Sequence, residues 1–344
     1  MAGYNIGIDL GTGNIKAFVS GRGIVISEDN AICYDAKSDE FITMGNAAGE
    51  MLGKAPESYV LKRPISGGVI SDFTVMAEIL SRFLVKICKN SIFRPNVLIS
   101  APSCNTQLEK KTVIEAACAA GAGKVHLIDE PVVSALGAGL SIDYPHGVMV
   151  IDIGAGTTDI AVITMSTVAY AASLKVAGDT MDDAICQYIK KNKDIVIGTQ
   201  TARKLKHTIG CAFKRDEEFE IDCTGKDLVT GMPKNFGVNS GEICEALKEC
   251  NLSIFEGIMS VLEQTPPELY SDICNEGIIL TGGGAKLYGI DKFLKVKLGI
   301  DVRVAADPEH CAAKGAGFVL KNMKKLEDSG YSFRMRESAY NFRD

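Results

Sequence analysis

The chain has 344 residues, 46% of them hydrophobic, and a formal net charge of −6. At ~100–200 residues per domain, this length indicates two or three domains, each with its own core. The acidic balance excludes a general nucleic-acid binder, because neutralising phosphates requires a surplus of Lys and Arg. The opening MAGYNIGID predicts no secretory signal, and no run reaches the ~18 uninterrupted apolar residues that a transmembrane helix needs.

Short β-rich runs alternate with longer helical patterns from the N-terminus onward, as is typical of an α/β protein. Residues 5–10 (NIGIDL) predict a strand, which IKAFVS and GIVIS continue as an antiparallel meander. Residues 73–89 predict a helix with Asp72 as its N-cap. The apolar face of this helix comprises Phe73, Met76, Leu80, Phe83, Leu84 and Ile87.

The same alternation continues to the end of the chain. A buried strand is predicted at 97–102, a helix over 108–122 and a second series of strands from about residue 148. The run GIILTGGG (277–284) predicts a strand followed by a helix that starts near Lys286. The last helix is predicted from 311 to about 326.

One motif occurs twice. IDLGTG at residues 8–13 reappears as IDIGAG at residues 151–156, in each case after one apolar strand and before another. A repeat at this distance is too long for a solenoid and indicates a duplicated domain. We therefore expect two similar domains that face each other across a cleft.

The D-x-G-x-G pattern is suited to phosphate binding. Glycine tolerates positive φ and adds no side chain, so backbone N–H groups can approach phosphate oxygens. The aspartate at the end of the strand can hold a hydrated Mg²⁺ beside those phosphates. Thr12 and Asn14 in the first loop, and Thr157 and Thr158 in the second, add polar donors. A third glycine-rich loop, TGGG (281–284), also follows a strand.

Other nucleotide and catalytic motifs are missing from the sequence. It contains no GxxxxGK[ST] P-loop, no GxGxxG in a βαβ unit and no GxSxG elbow. These absences exclude the P-loop, dinucleotide-binding and α/β-hydrolase classes.

With these loops in place, the chain resembles the actin-like ATPase superfamily and, within it, the bacterial actin family of MreB and Mbl. The resemblance runs in family order to about residue 326. It is carried by IGIDLGTGN, RPISGGVISDF (63–73), LIDEPVVSALGAGL (127–140), VIDIGAGTTDIAVI, AGDTMDDAI (177–185), TARKLKHTIG (201–210), TPPELYSDI (265–273), LTGGGAKL and AADPEHCAAKGAG (305–317).

The resemblance implies an actin-like (ribonuclease H-like) α/β fold with duplicated domains. Each domain is expected to contain a mixed five-stranded sheet flanked by helices, with a nucleotide cleft between the two. Domain I is expected to comprise residues 1–141 plus 311–328, with a small subdomain at about 33–65. Domain II is expected at 142–310, with a small subdomain at about 182–245. Residues 329–344 remain as a tail.

The resemblance also implies a nucleotide site. Its expected phosphate loops are Asp9, Gly11, Thr12, Gly13 and Asn14, and Asp152, Gly154, Ala155, Gly156 and Thr157, with Asp9 and Asp152 holding Mg²⁺ mostly through water. Its expected adenosine contacts are Arg203, Lys204, Leu205, Lys206, Gly282, Gly283, Gly284 and Ala285. Glu130 matches the family's catalytic acid, which positions and polarises the attacking water; taken without that context, a solvated carboxylate before a helix is the favoured interpretation.

Two positions depart from the family pattern. Ala155 stands where the family usually has the middle glycine of the second loop, a change of one methyl group. Arg203 stands where the family commonly has a glutamate that touches the ribose. The preference between ATP and GTP is therefore left open, and Arg203 is equally a surface residue beside Lys204.

The resemblance implies an ATPase that uses Mg²⁺, polymerises into a filament of paired protofilaments and determines rod cell shape. Its expected location is cytoplasmic and peripheral on the inner face of the cytoplasmic membrane, with cell-wall synthesis and elongation proteins as partners. Two alternatives of the same superfamily stay open. A soluble sugar or acetate kinase would need a second-substrate pocket with a catalytic Asp, and a plasmid-segregation or chaperone-like ATPase would have other partners.

Two segments are candidates for membrane contact. Ile92 and Phe93 lie in SIFRP (91–95), which is either a hydrophobic anchor loop or a connector with Phe93 in the core. The tail places Tyr331, Phe333, Tyr340 and Phe342 among Arg334, Arg336 and Arg343. It either contacts anionic lipid or is a frayed chain end.

Overall fold

The computed structural model describes residues 4–89 and 91–335. In the first half of the chain the elements are β1 (Asn5–Leu10), β2 (Asn14–Val19), β3 (Gly23–Asp29), β4 (Ile32–Asp35), β5 (Phe41–Met44), α1 (Asn46–Met51), β6 (Tyr59–Lys62), β7 (Ile65–Ser66), β8 (Val69–Ile70), α2 (Phe73–Cys88), β9 (Asn96–Ala101), α3 (Gln107–Ala119), β10 (Lys124–Asp129) and α4 (Glu130–Gly137).

The second half begins with another series of strands. Its elements are β11 (Val148–Ile153), β12 (Thr158–Thr164), β13 (Thr167–Leu174), α5 (Gly178–Lys193), β14 (Ile195–Val196), α6 (Thr199–Ile209), β15 (Glu220–Asp227), β16 (Pro233–Asn239), α7 (Ser240–Ala246), α8 (Lys248–Gln264), α9 (Pro267–Glu276), β17 (Ile278–Thr281), α10 (Ile290–Leu298), β18 (Val302–Val304), α11 (Cys311–Asp328) and β19 (Arg334–Met335). Short 3₁₀ turns lie at Gly283–Lys286 and Pro308–His310.

Two large mixed sheets form the framework within residues 4–89 and 91–335. One has the strand order β19-β10-β9-β1-β2-β3, and the other has the order β13-β12-β11-β17-β18. β1 and β11 each lie between an antiparallel neighbour, β2 or β12, and a parallel neighbour, β9 or β17. The predicted duplication is therefore present in the topology, with the two D-x-G-x-G strands at equivalent central positions.

The first sheet differs from the expected five strands. Its additional edge strand is β19, which comes from the predicted tail and pairs antiparallel with β10. Tyr331 and Phe333 are 7% and 6% exposed, so both the frayed-end and the lipid-contact alternatives are wrong for these two residues. Arg336, Tyr340, Phe342 and Arg343 lie outside the described residues.

Three smaller sheets accompany the large ones in the described part of the chain. Strands β5, β4 and β6 form one, and strands β14, β15 and β16 form another. These two lie within or across the segments expected to be small subdomains. The two-residue strands β7 and β8 pair with each other just before α2.

The predicted helix at 73–89 is α2, and its N-cap is confirmed. The Asp72 carboxylate accepts a hydrogen bond of 3.0 Å from the Val75 N–H. The predicted apolar face is buried except at Phe73, which is 42% exposed at the first helical position. The helix expected to start near Lys286 starts instead at Ile290, because Gly283–Lys286, which includes the end of the third glycine loop, forms a 3₁₀ turn.

Helices α4 and α11 pack against each other between the two large sheets. Their shared core contains Leu98 and Ile128 from the first sheet, Val150 and Ile163 from the second, and Val319 from α11. A Cβ atom at Gly315 would collide with the backbone of Val133 on α4. The absence of a side chain at Gly315 therefore allows the two helices to approach this closely.

Candidate functional site

A cavity of about 600 Å³ lies between the two large sheets. The loop after β1, the loop after β11 and the glycine loop after β17 all line it. Because β1 and β11 occupy equivalent positions in the two sheets, their C-terminal ends bring the two D-x-G-x-G loops to the same cleft. Clefts at strand ends are common ligand sites in α/β proteins.

The two loops are closed by the same backbone hydrogen bond. The Gly11 N–H donates to the Asn14 carbonyl over 3.1 Å, and the Gly154 N–H donates to the Thr157 carbonyl over 2.9 Å. The loops also touch, since a Cβ atom at Gly13 would lie 2.7 Å from the Ala155 Cβ. A side chain at position 13 would therefore overlap the methyl group of Ala155, which forms the opposing surface.

Each strand-end aspartate is buried and held by polar partners. The Asp9 carboxylate lies 3.5 Å from the Lys16 ammonium. The Asp152 carboxylate accepts hydrogen bonds of 2.8 Å from the Ser134 and Thr281 hydroxyls. Lys16 lines the cavity beside Asp9, so a cation is available to a phosphate chain bound there.

Three further acids, Asp159, Asp152 and Asp9, lie close enough to Glu130 for their charges to act on it. Burial, followed by the charges of Asp159, Asp152 and Asp9, raises the pKa of Glu130 well above its usual value. Burial is also the main cause that raises the pKa of Asp159 to about 6. Glu130 lines the cavity at the first position of α4. A carboxyl group with a raised pKa in a cleft is a candidate for proton transfer, as general acid or general base.

Arg203 forms part of the cleft wall through two ion pairs. Its guanidinium donates to Asp179 and Asp182 over 3.0 Å each. Lys206, one helical turn further on α6, lies 2.6 Å from the same Asp182 carboxylate, which is fully buried. Arg203 is therefore not an isolated surface residue, and its charge is balanced by α5.

The end of the cleft near the third loop carries an aromatic ring and charged side chains. The Arg215 guanidinium lies 4.0 Å from the centre of the Tyr288 ring, and its Nη2 donates to the Gly210 carbonyl over 3.1 Å. Lys286 forms an ion pair of 2.7 Å with Glu309. A flat, partly apolar wall of this kind is suited to a purine base.

Most of the predicted site residues meet in this cavity. Those that line it are Asp9, Gly11, Thr12, Gly13, Asn14, Glu130, Asp152, Gly154, Ala155, Gly156, Thr157, Arg203, Lys206, Gly282, Gly283 and Gly284. Three predicted adenosine contacts do not: Lys204 is exposed, and Leu205 and Ala285 are buried in the core of the second half. Successive helical side chains point in different directions, so residues 203–206 cannot all face one cleft.

Several residues at or near the cleft are not predicted from the sequence. Lys16 and Asp159 lie on β2 and β12, directly opposite Asp9 and Asp152 in the strand register. Extending the internal repeat by one strand would have paired these two positions. Arg215 and Tyr288 reach the cleft only through the tertiary packing of segments far apart in the chain, for which the sequence holds no local signal.

The loop between α2 and β9 presents its apolar residues outward. Ile92 is 94% exposed and Phe93 is 52% exposed. The Ser91 hydroxyl donates to the Phe93 carbonyl over 3.0 Å. Phe93 is therefore not in the core, and the alternative of a connector that buries Phe93 is wrong. Within residues 4–89 and 91–335, no helix combines the length and apolar character needed to cross a membrane.

The duplicated halves and the glycine loops that meet between them define an actin-like protein. A model of the family described as MreB/Mbl protein matches residues 3–328. The chain belongs to this MreB/Mbl family. It is 42% identical over 327 residues to the cell shape-determining protein Mbl of Bacillus cereus, covering 95% of this chain and 98% of the relative. It is also 42% identical to the cell shape-determining protein MreB of Escherichia coli K12, covering 93% and 94%.

Solved structures show the same fold. MreB5 of Spiroplasma citri bound to ADP is 35% identical, with a TM-score of 0.91 over 96% of this chain and 99% of that one. The AMPPNP-bound form of that protein gives the same TM-score and identity, over 96% of this chain and 100% of that one. The MamK double helical filament is 19% identical with a TM-score of 0.80, over 93% of this chain and 99% of that one, and shares the fold.

Proposed function

We propose that this protein binds and hydrolyses ATP with Mg²⁺ in the cleft and forms a membrane-associated filament that determines rod cell shape. The observation that carries the proposal is the meeting of three glycine loops and Glu130 around one cavity of about 600 Å³. In this proposal the halves are domain I (1–141 plus 311–328) and domain II (142–310), which close on the nucleotide. The partners are cell-wall synthesis and elongation proteins at the inner face of the cytoplasmic membrane.

An adenine nucleotide is the expected ligand. The Spiroplasma citri relatives carry ADP and AMPPNP, and the loops that would surround such a ligand are present here. Because Arg203 is engaged by Asp179 and Asp182, we infer that it shapes the cleft wall and does not select the base. GTP is the competitor to include in binding assays.

The donor set fits Mg²⁺. Asp9 and Asp152 offer carboxylate oxygens, the ligands that Mg²⁺ prefers, and both are buried near further acids. When bound, Mg²⁺ would neutralise charge that develops on the phosphates. The chain's own groups have separate roles: loop N–H groups and Lys16 bind phosphate oxygens, and Glu130 accepts a proton from the attacking water and orients it.

Sedimentation with a phosphate-release assay tests this function. The wild-type protein is expected to pellet with Mg-ATP at micromolar concentration and to release phosphate. Glu130→Ala is expected to pellet as well, with phosphate release about 100- to 1000-fold slower because the proton acceptor is gone. A protein that stays monomeric with both nucleotide and lipid would contradict the filament.

The exposed Ile92 and Phe93 are the proposed membrane contact. Inserting each side chain gains about 1.5–3 kcal/mol, and a filament repeats the contact in every subunit. Ile92→Ser/Phe93→Ser is expected to remain in the supernatant when vesicles of phosphatidylglycerol and phosphatidylethanolamine are pelleted. Leu108→Ser/Val296→Ser is the matched control, since these residues are 73% and 71% exposed elsewhere. Equal binding by both variants would remove this loop from the proposal.

A further inference from the structure

Residues 329–335 follow the segment that the family model matches, which ends at residue 328. They are nevertheless integrated into the fold. Gly330 adopts a φ of 101° after the last turn of α11 and directs the chain back toward the first sheet. There, β19 pairs with β10 through Leu127 and Arg334. This segment, which we call the C-terminal strap (329–335), is thus a part of the first sheet that the family match does not include.

The strap is anchored on both halves of the molecule. Tyr331 and Phe333 join the core that lies between the two large sheets, and their rings meet edge to face with centroids 5.0 Å apart. The Arg334 guanidinium donates to the Gln107 side chain at the start of α3. The hydroxyls of Ser329 and Ser166 lie 3.0 Å apart, and Ser166 belongs to the turn between β12 and β13.

The strap contacts the residue immediately before Glu130. The Tyr331 hydroxyl accepts a hydrogen bond of 2.9 Å from the Asp129 N–H and donates one of 3.3 Å to the Asp129 carboxylate. The other carboxylate oxygen of Asp129 lies 3.1 Å from the buried Lys110 ammonium. The peptide from which Glu130 projects is therefore held from two sides, by α3 and by the strap.

The Tyr331 hydroxyl is suited to this contact. Burial, followed by the charge of Asp129, raises the pKa of Tyr331 far above its usual value. The phenol thus stays protonated at every physiological pH and can act as donor and acceptor to Asp129 at once.

We propose that Tyr331 is a positioning residue for ATP hydrolysis: through Asp129 it fixes the first turn of α4 and hence the place of the Glu130 carboxyl group in the cleft. This proposal rests on the proposed function, in which Glu130 orients the attacking water. Rates of such reactions depend steeply on the position of the catalytic group. Nucleotide affinity, in contrast, depends on the residues that line the cavity, and none of the strap residues 329–335 is among them.

Tyr331→Phe isolates the hydroxyl, because it keeps the ring in the core. We expect phosphate release per bound ATP to fall about three- to tenfold, with KM for ATP within about twofold of wild type. Hydrogen exchange at the Asp129 amide and in the first turn of α4 should become faster in the ATP-bound protein. Phe333→Leu is the matched control: it loosens the same strap, so it should lower the melting temperature while phosphate release stays within about twofold of wild type.

Each result bears on one of the two proposals. If wild type hydrolyses ATP, Glu130→Ala is slowed as predicted, and Tyr331→Phe keeps the wild-type rate and exchange, the positioning role is wrong and the proposed function stands. Equal slowing by Tyr331→Phe and Phe333→Leu would make the strap purely structural and would also overturn the inference. If the wild-type protein releases no phosphate at all, the proposed function fails and the positioning role falls with it.

Discussion

The two D-x-G-x-G loops are closed by the same backbone hydrogen bond, but the charged residues next to their aspartates differ. In both loops, a glycine N–H donates a hydrogen bond to the carbonyl three residues further along the chain, over 3.1 Å in the first loop and 2.9 Å in the second. The residue opposite the aspartate in the strand register is Lys16 in the first copy and Asp159 in the second. The duplication therefore repeats the geometry and not the electrostatics.

This difference divides the chemistry of the cleft between the two halves. Asp9 is paired with a cation at 3.5 Å, whereas Asp152 is held by neutral hydroxyls and has a second acid, Asp159, on the adjacent strand. A phosphate chain needs positive charge, while a metal ion and an attacking water need carboxylates. In the proposed function both loops bind phosphate and both aspartates can hold the metal. We infer that the difference in charge weights the first loop, through Lys16, toward phosphate and the second, with Glu130, toward the metal and the water.

Of the changes that distinguish the two loops, replacing Lys16, the cation on β2 beside the first loop, has the largest expected effect. Lys16→Met removes a charge-assisted contact to phosphate, so the affinity for ATP should fall about 30-fold, in line with the ~2 kcal/mol of such a bond. The affinity for AMP, which lacks the terminal phosphates, should change less than about threefold. Titration calorimetry measures both, and Lys16→Arg serves as the charge-preserving control. An equal loss for ATP and AMP would show that Lys16 supports the fold and not the phosphate site.

Replacing Asp159, the acid next to the second loop, tests the other half of the comparison. The pKa of Asp159 is raised from 3.8 to about 6, so the unfolded chain ionises first as the pH rises. The folded state accordingly loses stability between about pH 4 and pH 6, and the penalty is complete above pH 6. Asp159→Asn should raise the free energy of unfolding of the nucleotide-free protein by about 1–3 kcal/mol at pH 8 and leave it unchanged at pH 3.5. Denaturant melts at the two pH values measure this difference.

The same variant has a consequence for catalysis. Among the neighbouring charges, that of Asp159 contributes most to raising the pKa of Glu130, after burial itself. Phosphate release should require the ionised Glu130, so its rate should rise with pH through that pKa. In Asp159→Asn this rise should occur at lower pH than in wild type, and an unchanged pH profile would separate Asp159 from Glu130.

The contact between the loops has the smallest expected effect. Gly13→Ala places a methyl group against Ala155, where the two Cβ atoms would be 2.7 Å apart. Relieving that overlap should weaken ATP binding about fivefold, equivalent to ~1 kcal/mol. The double variant Gly13→Ala/Ala155→Gly exchanges the methyl group between the loops and should recover most of the affinity. Failure of the exchange to restore binding would mean that the loops do not meet in the bound state.

The sequence predicts the parts of the molecule whose signals are local. An apolar run followed by D-x-G-x-G indicates a strand and a tight loop wherever it occurs. Both copies of the motif lie at the end of a strand, as this pattern predicts. The N-cap of α2 at Asp72 was likewise predictable, because a capping aspartate acts within three residues of the helix start. The family resemblance then supplied Glu130, which carries no signal of its own.

The sequence does not predict what long-range packing decides. The two-residue strand β19 is too short for a periodic pattern, and it exists because β10 offers a sheet edge. The ion pairs of Arg203 depend on how α5 lies beside α6. Tyr331 meets Asp129 across 202 residues of sequence, a contact that only the folded chain reveals.

The Mg²⁺ dependence of ATP affinity tests the division between the two loops most directly. The measurement compares wild type, Lys16→Met and Asp152→Asn, each titrated with ATP in Mg²⁺ and again in EDTA. We predict that Lys16→Met loses affinity by a similar factor in both solutions, because its partner is the phosphate itself. Asp152→Asn should lose affinity only in Mg²⁺. If the two variants lose affinity alike in both solutions, the two loops do not differ in their roles, and the inferred division between phosphate and metal is wrong.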